Sequence, residues 1–364
     1  MIRSKLKHKT IVNLANNILF TAVVINLMGI FFIFEASSVS SYVNFNDPFY
    51  YVKLQSIWFI VGLIIFYITS KIDYHRWYYL AFSLVVVNFL SLLIVLIPGI
   101  GKQIGGARRW IDLGFFNFQP SEFAKLAMIL YLSSWFLKKE RKQFASFLIL
   151  LGLTMFLIMN QPDLGTGLLI FLLSIGIYYF SGLSYVYLIY LFALAGMLGA
   201  VGIIIAPYRL RRFSAFLNPE SDPLGIGYQI TQMREALSSG GLFGRGIGFS
   251  EKKFLFLPEA HTDAILAIIG EELGFIGLMI VLIIYFYLIF NLYRTAISAP
   301  DKFGFILSGA IMLFFMLHLA INVSGIARII PFTGLPIPLI SYGGSNLLIT
   351  FFLLGIVYNI AKHI

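Results

Sequence analysis

The chain has 364 residues, of which 59% are hydrophobic and only 12% are charged, and its formal net charge is +10. This composition is too apolar for an ordinary soluble domain and is typical of a polytopic membrane protein. Because the chain contains no cysteine, disulfides and thiolate chemistry are excluded.

Ten apolar segments have about the 20 residues that a helix needs to cross a bilayer. They lie at 11–36, 54–70, 77–98, 121–137, 144–160, 164–181, 184–206, 264–289, 303–327 and 341–361. The predicted fold is an all-α polytopic membrane protein with about ten transmembrane helices, forming a single domain over 1–364. Only one interval, the long extracytoplasmic loop at 207–263 between spans seven and eight, can hold folded structure of its own.

The distribution of basic residues predicts the orientation. An even number of spans puts both termini on one side, and the basic tail at 1–10 assigns that side to the cytoplasm. The short inside segments then carry 13 Lys and Arg, including a cluster at 138–142, against five in the short outside segments. We therefore expect a multi-pass protein of the cytoplasmic membrane with both termini inside.

The connection between spans three and four carries Trp110 and leads into span four through Ser121, Glu122 and Lys125. Ser121 is the predicted N-cap, and Glu122 and Lys125 share one face of the helix because they are three residues apart. A first-turn acid and a lysine reaching to the surface would explain the same residues. However, Lys125 lies a turn inside the membrane, where a cation favours an acidic partner.

Further polar residues cluster on the outer side. Asp163 follows a proline between spans five and six and is predicted to cap a helix. Arg209 and Arg212 follow span seven, where they could bind lipid phosphates or the phosphates of a substrate. The glycines of 240–248 flank Arg245 and permit an anion-binding loop, although the spacing matches no nucleotide-binding motif.

The segment Leu257–Glu272 carries four carboxylates and His261 into span eight. Acids near a membrane are costly and indicate function. His261 has an ordinary explanation as a hydrogen-bonding loop residue, which we favour. Glu271 and Glu272 would lie deeper on a straight helix and are expected to pair, with Lys125 or Arg328 as candidates.

Asp263 begins a stripe of small residues. Asp263, Ala267, Gly270, Gly274 and Gly277 have helical spacing and should share one face of span eight. Small faces pack against neighbouring helices in membranes, so Asp263 is predicted to point into the bundle or into a water-filled cleft.

Span ten opens with a segment rich in serine and glycine that includes Ser341 and Ser345. Such a helix start exposes N–H donors to an anion. A helix cap with close packing explains the same residues about as well.

These motifs, in this order, resemble the SEDS family (shape, elongation, division and sporulation) over nearly the whole chain. The matching segments are 109–125, 161–165, 238–248, 257–263, 270–274 and 338–345. Residues 244–250 and Ala260 are most similar to the cell-division branch, that of FtsW. The chain departs from the family at Ala264-Ile265-Leu266, where Phe-Ile-Phe is usual, and this change should affect packing more than chemistry.

The resemblance implies a peptidoglycan glycosyltransferase that polymerises lipid II at the outer face of the cytoplasmic membrane, in septal wall synthesis. It implies an essential acid at Asp263 and functional roles for Trp110, Glu122 and Lys125. It also implies a class B penicillin-binding protein as partner, together with other division proteins and membrane lipids. No feature indicates a nucleic-acid partner.

Transfer of a sugar from a diphosphate needs a base for the acceptor and cations for the leaving group. Asp263 is the predicted base, and Arg209, Arg212, Arg245 and Lys125 are the predicted cations. A divalent cation, Mg²⁺ or Mn²⁺, could assist, and no cofactor is otherwise expected. Two alternatives stay open: a lipid II flippase or transporter, and a scaffold for the penicillin-binding protein that has no catalytic role.

Overall fold

The structure is a computed structural model that describes residues 2–104, 107–114, 116–137, 143–184, 186–205 and 207–364. The basic cluster predicted inside at 138–142 lies outside the described residues. The helices are α1 Ile2–Phe45, α2 Tyr50–Lys71, α3 Arg76–Ile94, α4 Pro120–Trp135, α5 Gln143–Met159, α6 Leu164–Phe180, α7 Val186–Ile205, α8 Pro207–Leu217, α9 Ile226–Gly240, α10 Ile265–Ile297, α11 Lys302–Ile326 and α12 Gly344–Lys362. The strands are β1 Gly101–Ile104, β2 Ala107–Asp112 and β3 Asn117–Phe118, and a 3₁₀ helix covers Pro219–Ser221.

Ten of these helices coincide with the ten predicted spans and confirm the polytopic helical fold. Six contain a stretch long and apolar enough to cross a membrane: α1, α2, α3, α10, α11 and α12. The shorter helices α5, α6 and α7 are also apolar. The 16-residue α4 is buried along most of its length, and it contacts α3, α6, α11 and α12. A helix enclosed by others in this way is stabilised by packing more than by length.

The long loop at 207–263 contains α8, the 3₁₀ helix and α9. Proline at the first position of α8 favours helix initiation, since its missing N–H would have no partner there. α9 packs against α10, and α8 contacts α7, α9 and the 3₁₀ helix. The loop therefore has the folded structure that its length allowed.

The connection between spans three and four is a small antiparallel sheet, in the order β1-β2-β3, where the sequence indicated only a loop. Trp110 lies opposite Lys102, and the register shifts after Lys102. Arg109 fixes the sheet to the α5–α6 connection: its Nε donates to the Gln161 carbonyl at 2.9 Å, and its guanidinium also donates to the Pro162 carbonyl.

The prediction that Ser121 caps α4 is wrong. The helix begins at Pro120, and Gln119 occupies the cap position without a side-chain cap. Proline pre-sets the first helical residue and so moves the start one position earlier. Ser121 instead donates to Asp163 Oδ2 at 3.1 Å, and Asp163 caps α6 as predicted by accepting from the Thr166 N–H at 3.2 Å.

The predicted continuous stripe on span eight is also wrong, because α10 is broken at Gly274, where φ is 68° and ψ is −171°. The backbone groups freed at the break bind the glycine segment of the outer loop. The N–H groups of Phe275 and Ile276 donate to the carbonyls of Gly241 and Leu242 at 2.9 and 3.1 Å. Unpaired backbone N–H groups are costly near a membrane, and these hydrogen bonds pair the ones that the break leaves free.

The hydrogen bonds between the glycine segment and α10 also bear on the predicted anion-binding loop. The N–H groups of Arg245 and Gly246 donate to the carbonyls of Glu271 and Glu272, each at 3.0 Å. A Cβ on Gly244 would lie 2.1 Å from the Glu272 carbonyl oxygen, so glycine is needed there for close approach. The glycine segment holds the broken helix, and these two donors are already used.

Candidate functional site at the outer end of the bundle

Asp263 lies just before α10 and is 8% exposed. Its Oδ1 accepts a hydrogen bond from the Thr262 hydroxyl at 3.1 Å. Its carbonyl accepts from Asn322 Nδ2 at 2.9 Å, and the same amide nitrogen also donates to the Leu335 carbonyl at 2.8 Å. Asn322 thus ties Asp263 to the connection between α11 and α12. The side chain points into the protein, as predicted, although it is not part of the helix.

The pKa of Asp263 is raised to about 7, mainly by burial and also by the negative charge of Glu259. A backbone hydrogen bond, the Thr262 hydroxyl and the positive charge of Arg212 act in the opposite direction. A carboxyl group that titrates near neutral pH can accept a proton and keep it, which is the property of a general base.

His261 lies two residues earlier, with its ring centroid 4.2 Å from that of Tyr51 and 5.5 Å from that of Tyr342. Its carbonyl accepts from the Tyr342 N–H at 2.9 Å. Burial lowers the pKa of His261 to about 4, so the ring is neutral at pH 7. His261 thereby anchors the segment before Asp263 to the start of span ten.

A second polar cluster lies about one helical turn from Asn322 along α11. Lys125 Nζ is 2.6 Å from Glu122 Oε1 and 3.1 Å from His318 Nε2, and the lysine is fully buried. Asn346 Nδ2 donates to Glu122 Oε2 at 3.0 Å. The predicted acidic partner of Lys125 is therefore Glu122, and their pair joins α4, α11 and α12 beneath Asp263.

The sequence suggested that Glu271 and Glu272 pair with Lys125 or Arg328, and this prediction is wrong. Glu271 Oε2 accepts from the Ser250 hydroxyl at 2.5 Å. Glu272 Oε1 lies 3.4 Å from Lys253 Nζ. Because α10 breaks directly after these acids, they face the outer loop, which supplies their partners.

Sequence reasoning missed two residues of this network. Lys253 Nζ also lies 3.0 Å from Glu35 Oε2 on α1, so one lysine lies between two carboxylates. Glu35 carried a usable signal, since an acid inside an apolar span predicts a buried partner. Nothing local to Lys253 distinguished it from the neighbouring Lys252.

A cavity of about 810 Å³ opens beside this site. Apolar side chains of α5, α6 and α7 form most of its wall, and Arg209, Arg212 and Thr333 lie among the polar lining residues. Thr333 precedes Gly334, where a Cβ would lie 3.1 Å from Asp263 Oδ2. Arg209 and Arg212 therefore line the apolar cavity, and Asp263 lies behind its wall, next to the glycine that follows Thr333.

The remaining predicted site residues lie on other segments of the chain. Trp110 is half-buried on β2. Arg245 lies at the helix break, where Nη1 is 2.6 Å from Glu251 and 3.9 Å from Glu271. Ser341 Oγ accepts from the Ile337 N–H at 2.9 Å, and the Ser345 hydroxyl donates to the Asn117 carbonyl at 3.3 Å. Their hydrogen bonds shape the connections around the site.

Gly334 provides a test of how tightly Asp263 is held. Its φ of 73° disfavours any side chain, and a Cβ would press on the Asp263 carboxyl group. We expect Gly334→Ala to displace the Asp263 carboxyl group while the bundle stays folded, and so to slow at least about tenfold any reaction in which this group takes part. Gly182→Ala is the matched control, since its φ is 74° and no atom lies within 4 Å of the added Cβ. Equal activity of the two variants in an enzyme assay would contradict the close placement of Gly334 and Asp263.

Metal binding by protein ligands alone is not supported in the described part of the chain, where no group of three or more His, Asp or Glu has suitable spacing. A divalent cation at Asp263 would need most of its oxygen ligands from elsewhere.

The fold and the site define a polytopic helical membrane protein with a buried acid beside an apolar cavity. Residues 15–364 match the family model for FtsW, RodA and SpoVE, described as a cell cycle protein. The chain belongs to this family.

Two individual relatives are similar to this chain over most of its length. The chain is 39% identical over 350 residues to a probable peptidoglycan glycosyltransferase FtsW of Trichlorobacter lovleyi, covering 94% of this chain and 92% of the relative. It is 38% identical to the stage V sporulation protein E of Bacillus subtilis, covering 92% and 93%.

Solved structures share the fold. A chain of a peptidoglycan synthase complex, described in terms of coordinated polymerization and crosslinking, matches with a TM-score of 0.77 and 28% identity over 95% of this chain and 97% of that one. The rod shape determining protein RodA of Thermus thermophilus matches with a TM-score of 0.70 and 27% identity over 95% of both chains.

Proposed function

We propose that this protein is a peptidoglycan glycosyltransferase that polymerises lipid II into β-1,4-linked glycan strands at the outer face of the cytoplasmic membrane. The observation that carries the proposal is the buried Asp263 next to the wall of an apolar cavity that Arg209 and Arg212 line. Such a cavity suits a lipid-linked sugar, because the apolar wall can hold the lipid tail while the cations face its diphosphate. Membership of a family with relatives named peptidoglycan glycosyltransferases supports the same activity.

In the proposed reaction, Asp263 accepts the proton of the acceptor GlcNAc 4-hydroxyl. The hydroxyl oxygen attacks C1 of the donor MurNAc as the bond from C1 to the diphosphate oxygen breaks, so that an α linkage becomes β. The electron pair of the broken bond leaves with the lipid diphosphate, and the proton stays on Asp263 until solvent removes it. Removal of a proton during attack is the contribution of a general base.

Arg209 and Arg212 would stabilise the charge on the departing diphosphate, since guanidinium groups bind phosphate oxygens in a planar, bidentate manner. The positive charge of Arg212 acts on Asp263, which supports a role for this arginine close to the proposed base. The pair Glu122–Lys125 would support the site from below, by holding α4, α11 and α12 together.

We also propose a role in cell division, both termini in the cytoplasm, and a class B penicillin-binding protein as partner. The relatives named FtsW support the role in cell division. The solved complex that combines polymerization with crosslinking supports the penicillin-binding partner, because its matching chain has the same fold as this one. The basic N-terminal tail supports the orientation.

Two assays on the purified chain in liposomes separate polymerisation from transport. With labelled lipid II we expect glycan strands that lysozyme digests, and no acceleration of the movement of lipid II between leaflets. Movement between leaflets without strand formation would instead support the transporter alternative. Strands only when the penicillin-binding protein is active, with no dependence on Asp263, would support the scaffold.

The pKa of Asp263 predicts the pH dependence. A base with a pKa of about 7 is mostly protonated and inactive below that pH. The initial rate should therefore rise about tenfold between about pH 6 and about pH 8. Arg212→Gln removes a positive charge that lowers the pKa of Asp263, so its midpoint should shift to higher pH. Rates measured in buffers of constant ionic strength test this, and a flat wild-type profile would contradict it.

A further inference from the structure

The connection after α11 contains an arginine in a backbone conformation that favours glycine. Arg328 has φ of 57°, and it directly follows Ala327, the C-cap of α11. The Ile329 N–H donates to the Ser324 carbonyl at 2.8 Å and so closes the helix end. Glycine is the usual residue at this position because a left-handed residue with a Cβ is strained. The strain calls for a compensating role of the arginine side chain.

The Arg328 side chain binds a different helix. Its Nε donates to the Phe216 carbonyl at 2.8 Å, and its Nη2 donates to the Leu217 carbonyl at 2.7 Å. These are the last two carbonyls of α8, which have no partner within their own helix. A cation at the carboxyl end of a helix also complements the helix dipole. Arg328 therefore caps α8 across 111 or more residues of sequence.

α8 buries little apolar surface. Among residues 209–217 only Ala215 is buried, while Leu210 and Leu217 are 49% and 61% exposed. A helix with so little buried apolar surface gains little stability from packing. The two hydrogen bonds from Arg328 therefore add directly to its attachment.

α8 carries Arg209 and Arg212, and Arg328 lies just before the segment 330–334 that borders both the cavity and Asp263. We propose that Arg328 is a positioning residue that fixes α8 against this segment and thereby holds the two arginines over the diphosphate of the substrate. The proposal rests on the proposed function for the identity of the ligand. Its geometric part, the tether between α8 and the connection, can be tested separately.

Arg328→Gly removes the side chain without straining the backbone, because glycine suits the positive φ at this position. The turn should stay folded while the tether is lost. Asn46→Gly is the matched control: Asn46 also has a positive φ, 56°, and follows the end of α1. Arg328→Lys keeps the charge but cannot donate two hydrogen bonds in a fixed fork.

The first readout is steady-state polymerisation of lipid II by the full chain. We expect Arg328→Gly to raise KM for lipid II at least about fivefold with a smaller change in kcat, because binding of the diphosphate is weakened. Arg328→Lys should be intermediate and Asn46→Gly should match the wild type. An unchanged KM for Arg328→Gly would overturn the proposal.

The second readout is the distance between spin labels at Leu217→Cys and Ile329→Cys, two exposed positions in a chain without native cysteine. A narrow distribution in the Arg328 background should broaden in Arg328→Gly. An equally narrow distribution in both would overturn the tether. If the wild type forms no glycan strands, the proposed function fails, whereas the label distances still decide whether Arg328 holds α8.

Discussion

Replacing Lys125 with methionine is expected to lower the free energy of unfolding by about 3–5 kcal/mol, because the change leaves Glu122 as a buried carboxylate without its cation. Lys125 is fully buried and Glu122 is 2% exposed, so water cannot replace the lost partner. The Tm in detergent should fall by several degrees, and α4 should loosen from α11 and α12.

The double variant Glu122→Gln/Lys125→Met distinguishes loss of a pair from loss of one partner. Removing both charges avoids an isolated buried ion, and it should recover much of the lost Tm. Lys53→Met is the control, since Lys53 pairs with Asp47 at 2.7 Å with 64% of its side chain exposed, and exposed pairs contribute little. If Lys53→Met and Lys125→Met lowered the Tm equally, the structural role of the buried pair would be refuted.

The positions of the spans could be read from the sequence, because the length of an apolar segment is set by the thickness of the bilayer. All ten predicted spans fall on helices. The sheet could not be read, because β1 and β3 have only 4 and 2 residues. Strands so short show too few alternations for a pattern to emerge.

The break at Gly274 was hidden for a different reason. Small residues at helical spacing predict a continuous face, and glycine is compatible both with a helix and with a left-handed break. What decides between them is the glycine segment of the outer loop, which lies some 30 residues earlier and offers its own hydrogen bonds. The partners of Glu271 and Glu272 follow from that tertiary pairing.

The candidate site was only partly predictable. The sequence identified Asp263, Lys125 and the arginines as unusual because charged groups near a membrane are costly. It could not show that the segment containing Gly334 would lie against Asp263, or that Arg328 would cap α8. Both depend on the tertiary position of the connection between α11 and α12, which no local sequence pattern predicts.

Replacing Asp263 with asparagine is expected to lower kcat for lipid II polymerisation by about 10²–10⁴-fold, the usual contribution of a general base. The amide cannot accept the proton, but it keeps the size of the side chain and the hydrogen bond from Thr262. KM should change little, because Asp263 acts on the acceptor proton and not on the diphosphate. Glu259→Gln, an exposed acid four residues away, is the control and should retain most of the activity.

The most direct test of the account is strand formation from labelled lipid II by purified wild-type protein beside Asp263→Ala, each in complex with its penicillin-binding partner and with matching Tm. The account predicts glycan strands from the wild type and none above background from Asp263→Ala. Strand formation at the wild-type rate by folded, partner-bound Asp263→Ala would contradict it.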